Sequence, residues 1–256
     1  RPTTDPGDEK YPDVAGDPVV GTLAFEDLWP SQGDYDMNDV VVGYSTTFTV
    51  DKDNRIVAIR DVVTPLHSGG KLRSAFGYQL DIPVTAVKGV KIENGSSTAG
   101  LEKNQDKAVV ILFDDIEQAV ARGPVSVEIE LDGSLSMDKV TRKSLYNPFI
   151  CVSDKGFVPG AVRKEIHLTN YPPTSLADPY PFGRNDDKSS LDKAGNPIGP
   201  YYYATSELYP FAIDLPVTDY RIPDEMVKID VFYPDFAGWV KSRGEKHKEW
   251  YKNSVK

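Results

Sequence analysis

Apolar and polar residues alternate along the first half of this chain, and that alternation constrains its fold more than any other feature. From Val40 to Val50 the even positions are Val40, Val42, Tyr44, Thr46, Phe48 and Val50, while Gly43, Ser45, Thr47 and Thr49 fall between them. Phe76, Tyr78, Leu80 and Ile82 alternate with Gly77, Gln79 and Asp81, and Val125, Val127, Ile129 and Leu131 with Ser126, Glu128, Glu130 and Asp132. A period of two sends successive side chains to opposite faces of a strand, so each run predicts one face in a core and the other in water. Val109 to Phe113 is apolar throughout and predicts a strand covered on both sides. Further strands are expected over Val19–Glu26, Arg55–Val63, Ala86–Ile92, Pro148–Val152, Glu165–Leu168, Phe211–Leu215 and Val227–Tyr233.

Helical signals are few. Asp114–Arg122 places Ile116, Ala119 and Val120 on one face, opens on Asp and stops at Gly123-Pro124. Asp235–Arg243 does the same with Phe236, Trp239 and Val240 and stops at Gly244. Asp51 to Asn54 reads as a hairpin turn. Many strands with two short helices predict a mainly β protein, an antiparallel, jelly-roll-like β-sandwich. Residues 170–203 break the pattern with six prolines and no periodicity, and predict a long loop in the C-terminal half that ends in Tyr201-Tyr202-Tyr203. Residues 1–18, rich in Pro, Asp, Gly and Thr, read as a tether or as what remains after a leader is removed, and 19–256 as one domain.

The formal net charge of −10 opposes nucleic-acid binding, because a phosphate backbone would be repelled. The one cysteine, Cys151, allows no intrachain disulfide, and His67, His167 and His247 show no metal-ligand spacing. No apolar run is long enough to span a membrane as a helix.

Between the first two predicted strands lies the densest group of oxygen-bearing side chains: Glu26, Asp27, Asp34, Asp36, Asn38 and Asp39. Carboxylates packed this closely repel unless a cation sits among them, and all-oxygen donor sets suit calcium. Asp34, Asp36 and Asn38 alternate as in the first half of an EF-hand, but Asp39 stands where that loop needs Gly and Ser45 where it needs Glu. An inter-strand calcium site remains, with Trp29 expected as its apolar cover. The competing reading is a solvated turn whose acids cap backbone N–H groups. Asp178, Asp186 and Asp187, with Asn185, form a sparser second candidate cluster, equally readable as turns.

Phe25-Glu26-Asp27-Leu28-Trp29-Pro30, followed by Gly33-Asp34-Tyr35-Asp36-Met37-Asn38-Asp39-Val40-Val41-Val42, resembles the signature of LruC-type domains, modules of bacterial cell-envelope proteins and lipoproteins. His167-Leu168, Tyr171, Pro173-Thr174, Ala177-Asp178, Phe182-Gly183 and Asp186-Asp187 resemble that family's second motif. Leu208 to Ile213, Phe236, Trp239 and Trp250-Tyr251 resemble its closing segment, so the likeness runs over roughly residues 19 to 252. Thr169-Asn170 and Tyr209-Pro210-Phe211 depart from the family pattern of Pro-Gly and Pro-Trp. The resemblance implies an exported, envelope-associated β-rich domain and does not imply an activity; a lipid anchor added through a removed leader is one expectation for its placement. Similar Asp-Tyr-Asp-x-Asn-Asp loops occur in extracellular adhesin-like modules.

The expected function is therefore a non-catalytic, calcium-stabilised module of the cell surface that binds a glycan or protein, with Tyr201, Tyr202 and Tyr203 as the candidate platform. One alternative is a structural envelope subunit without a ligand. Another is a glycoside hydrolase acting through a carboxylate pair, though no motif for an activated nucleophile accompanies the acids.

Overall fold

Two antiparallel sheets face each other, as the alternation requires. The computed structural model describes residues 13–255. Its strands are β1 (Val19–Phe25), β2 (Val40–Val50), β3 (Ile56–Ser68), β4 (Arg73–Pro83), β5 (Val87–Glu93), β6 (Gly100–Leu101), β7 (Lys107–Phe113), β8 (Val125–Leu131), β9 (Tyr146–Ser153), β10 (Glu165–His167) and β11 (Ala212–Leu215). The helices are α1 (Ile116–Arg122), α2 (Arg142–Leu145), α3 (Ile229–Phe232) and α4 (Phe236–Lys241). One sheet has the order β11-β1-β2-β3-β8-β5 and the other β10-β9-β4-β7-β6. Inward residues of both, among them Val42, Phe48, Ile59 and Val127 against Tyr78, Leu80, Val110 and Ile150, form the main core.

The runs over Val40–Val50 and Val125–Leu131 are strands at their predicted bounds, and Asp51–Asn54 makes the expected turn between β2 and β3. Three expectations change. The run Val227–Tyr233 contains helix α3 instead of a strand, because its apolar residues Ile229, Phe232 and Tyr233 share one helical face that lands on a sheet. Among the described residues there are four helices where two were expected; α2 is a single turn closed by a capping box between Thr141 and Ser144. Strand β4 is buried on both faces, since Ala75, Val109, Ile111, Phe149 and Cys151 make a small cluster on its far side against Phe157.

The far face of the six-stranded sheet is also covered. Ala24, Val41, Ile213 and Leu215 meet Tyr220, Ile229, Tyr233, Phe236, Trp239 and Trp250 of the C-terminal segment. The molecule thus has a third layer at the β1–β2 end. The described end of the expected tether is held to the sandwich: Gly16 N donates to Phe48 O at 2.9 Å, and Arg142 N donates to the Asp13 carboxylate. Residues 1–12 lie outside the described part.

Candidate functional site

Strands β1 and β2 are adjacent and antiparallel, with Phe25 opposite Val40. That register carries Glu26 and Asp27 off one strand end directly across from Asn38 and Asp39 at the start of the other. Tyr35 and Met37 take left-handed backbone conformations, φ 58° and 56°, which bulky residues adopt only when held there. The holding contacts are visible. Both side chains are buried in the C-terminal layer, the Tyr35 hydroxyl donates to Pro210 O at 2.6 Å, and Ile229 N donates to Tyr35 O at 2.8 Å. With the apolar residues pulled one way, the acids between them turn the other.

The acids turn inward. Glu26 and Asn38 are 0% exposed, Asp36 1%, Asp27 2% and Asp39 6%; Asp34 is partly exposed. Main-chain donors hold one oxygen of several carboxylates. Met37 N reaches Glu26 Oε1 at 2.6 Å, Asp27 N reaches Asp39 Oδ2 at 2.8 Å, and Met226 N reaches Asp36 Oδ2 at 2.8 Å. Glu26 Oε2, Asp27 Oδ2 and Asn38 Oδ1 are buried without a hydrogen-bond partner. The Asn38 amide is oriented by its Nδ2, which donates to Pro223 O at 3.2 Å and leaves Oδ1 free. Buried oxygens without donors are unfavourable by about 1–3 kcal/mol each, more when charged.

Gly69 and Gly70, just beyond β3, close over these atoms. A Cβ on Gly70 would stand 2.2 Å from Asp27 Oδ2 and 2.8 Å from Asp39 Oδ1, and one on Gly69 would stand 2.0 Å from Asn38 Oδ1. Only glycine leaves these oxygens clear. Asp34, Asp36 and Glu225 each offer an oxygen within 4.8 Å of the others at the rim.

The electrostatics follow from the burial. Desolvation, then the charge of Asp39, pushes the Glu26 carboxyl well above the usual range. Burial raises Asp36 to about 6. Burial, then the charge of Asp27, raises Asp39; burial raises Asp27 more weakly, because Lys164, the Leu72 main-chain N–H and a side-chain hydrogen bond with Asp39 act in the opposite sense. Lys164 Nζ donates to the Asp27 carbonyl oxygen at 3.0 Å. Each shift favours the protonated form, and a divalent ion would compete with protons for the same oxygens.

The structure divides the predicted set: Asp27, Asn38 and Asp39 lie beside Gly69 and Gly70, Asp34 and Asp36 converge with Glu225 at the rim, and Glu26 is buried behind them on Met37 N. Sequence reading missed Gly69, Gly70, Lys164 and Glu225; the Gly-Gly pair was the one signal available. Trp29 packs against Phe182 and Tyr203, at 4.9 and 5.0 Å between ring centroids, and so ties the loop to the segment 170–203. Asp178, Asp186 and Asp187 behave as turn residues. Asp178 accepts from Tyr180 N, Asp186 from Gln32 N, and Asp187 from Gly183 N, Ser189 N and Ser189 Oγ. One oxygen each of Asp178 and Asp186, and both of Asp187, thus accept hydrogen bonds within these turns. The tyrosine triplet divides between surface and core. Tyr201 is exposed and Tyr202 half-buried, but Tyr203, at φ 51°, turns into the core against Trp29, His167 and Phe182.

Residues 54–251 match a family described as a domain of unknown function, DUF4842. No curated protein matches the chain. The crystal structure of a "putative lipoprotein" from Bacteroides ovatus superposes with a TM-score of 0.64 at 21% identity, covering 92% of this chain and 74% of that one. At that identity the likeness shows the fold.

Proposed function

The chain belongs to the DUF4842 family, and from that premise we propose that it is a non-catalytic, exported module of the cell envelope whose acidic loop binds calcium. The observation that carries the metal is the set of buried oxygens with no donor, Glu26 Oε2, Asp27 Oδ2 and Asn38 Oδ1, beside a glycine pair that keeps them clear. Calcium takes six to eight oxygens at about 2.3–2.6 Å, including carboxylates and amide carbonyls. Asp27, Asn38 and Asp39 would hold it, with Glu26 behind them and Asp34, Asp36 and Glu225 available at the rim. Softer metals prefer the nitrogen and sulfur ligands this site lacks.

The ion's role is structural. Its ligands would tie the ends of β1 and β2 together beside Gly69 and Gly70, and Glu225 would extend the set to the approach to α3. Envelope placement is supported by the LruC-type resemblance and by the "putative lipoprotein" from Bacteroides ovatus that shares the fold. Among the described residues no helix is long and apolar enough to cross a membrane.

Thermal melting with calcium and with EDTA tests the metal. A hundredfold excess of calcium over its dissociation constant stabilises the folded state by about 2.7 kcal/mol. The melting temperature is expected to rise by roughly 5–10 °C for a chain of this size. Superimposable curves would reduce the loop to a turn.

A further inference from the structure

We propose that a cleft beside the acidic loop binds a saccharide. It encloses about 360 Å³ between four segments: the loop at Gln32 and Tyr35, the long loop at Asp186 and Lys188, the turn carrying Glu207 and Tyr209, and the start of α3 at Lys228 and Asp230. That volume lies at the small end of ligand sites, roughly 300–1,000 Å³, and suits one or two sugar rings.

The chemistry of its walls selects the ligand class. Two ammonium groups, Lys188 and Lys228, interleave with the carboxylates of Asp186, Glu207 and Asp230, the amides of Gln32 and Asn185, and the hydroxyls of Thr205 and Ser206. The signs nearly balance, so the cleft has no strong field for a phosphate or a free cation. A lipid chain finds little apolar wall. A polyhydroxylated molecule, each hydroxyl both donor and acceptor, matches such an alternation. The aromatic element is Tyr209, half-buried and fixed by Tyr35 at 5.6 Å and Phe236 at 5.9 Å between ring centroids, so its accessible part is presented without rotamer loss.

The walls are also tied together before any ligand arrives. Gln32 N donates to Asp186 Oδ2 at 2.9 Å, Thr205 N to Tyr209 O at 3.0 Å, and Ile229 N to Tyr35 O at 2.8 Å. Preorganisation of this kind lowers the ordering penalty of binding. The inference rests on the calcium reading in one respect: the wall formed by Gln32 and Tyr35 belongs to the loop the ion would hold.

The test is a printed array of gluco-, manno-, xylo-, galacto- and N-acetylglucosamine-containing oligosaccharides, probed with the full chain in calcium and in EDTA. Hits are then titrated by calorimetry against the wild type, Tyr209→Ala and Asp230→Asn. Binding weakened by about tenfold or more in either variant, with the melting temperature unchanged, supports the cleft. Should Tyr209→Ala melt early, Asp230→Asn on the surface carries the comparison. A blank array, or hits whose affinity neither variant changes, overturns the cleft even if calcium raises the melting temperature. Binding that survives EDTA in a protein whose melting ignores calcium upholds the cleft and sinks the metal reading instead.

Discussion

Two buried acidic regions of this molecule are built on opposite terms. On the outer face of the five-stranded sheet, Arg163 meets Glu102 through both guanidinium nitrogens, at 2.5 and 2.8 Å, and Glu165 at 2.9 Å. Glu165 further accepts from Thr174 N at 3.0 Å and Thr174 Oγ1 at 2.7 Å, and meets His167 Nε2 at 3.0 Å. Burial alone would push the Glu165 carboxyl up, yet His167, Arg163 and Thr174 hold it below its ordinary value. In the loop between β1 and β2 the acids are as deeply buried, but three of their oxygens or neighbouring amide oxygens have no donor and their carboxyls are pushed up. One region carries its own counter-charge. The other is short of one, and the shortage defines a ligand site in a way that acid content alone does not.

The sharpest way to break the comparison is to remove the internal counter-charge. Arg163→Ala leaves Glu102 and Glu165 buried and unpaired, and should destabilise the protein by about 3–5 kcal/mol in denaturant melts, equally with calcium and with EDTA. A calcium-dependent loss would mean the two regions are not independent. Next in size, Asp27→Asn with Asp39→Asn should erase the calcium-induced rise in melting temperature. In EDTA this double variant should melt above the wild type, because the repulsion between the pair is gone. Retention of the full rise would place the ion elsewhere. Gly70→Ala is subtler: its Cβ would stand 2.2 Å from Asp27 Oδ2, displacing a ligand without changing charge. Calcium affinity measured by titration calorimetry should fall about 10–100-fold, the scale of losses when a ligand's support is disturbed.

The regions should also respond to pH with opposite sign. The Asp36 carboxyl, raised from 3.8 to about 6, favours the folded state fully below its unfolded value, and that contribution is lost as pH rises through about 6. The more strongly raised Glu26 and Asp39 extend the loss to higher pH. In EDTA the melting temperature should therefore decline from pH 5 upward, and calcium, which competes with protons for the same oxygens, should reverse the trend. The lowered Glu165 contributes above its ordinary value of 4.5 and loses that contribution as pH falls further. A metal-free protein whose stability climbs through pH 6 would contradict the picture of the loop. The smallest effect is reserved for Tyr201→Ala, an exposed residue outside both regions, which should change stability by no more than about 0.5 kcal/mol.

How much of this was legible in the sequence depends on the range of the interaction. Strands such as Val40–Val50 were readable because the period-two pattern and the burial it encodes are local. The six loop oxygens were readable because they sit within fourteen residues of one another. Helix α3 is misread as a strand because Val227, Ile229, Val231 and Tyr233 also alternate, and only the C-terminal layer that Ile229, Phe232 and Tyr233 join decides between the periods. Tyr203 looked like a surface aromatic because its left-handed turn into the core is set by Trp29 and Phe182, far away in sequence. Lys164 and Glu225 reach the site through sheet pairing and chain return with no local pattern to announce them, whereas the Gly69-Gly70 pair is a local signal.

The central claim is that a divalent cation occupies the oxygens gathered at the β1–β2 turn. A crystal grown with calcium, measured at a long wavelength, addresses it most directly through the anomalous signal of the ion. The account predicts a single strong peak bonded to Asp27 Oδ2, Asn38 Oδ1 and Asp39 Oδ1 beside Gly70. A well-ordered loop with no peak there, its carboxyls protonated and paired or turned to solvent, would contradict it.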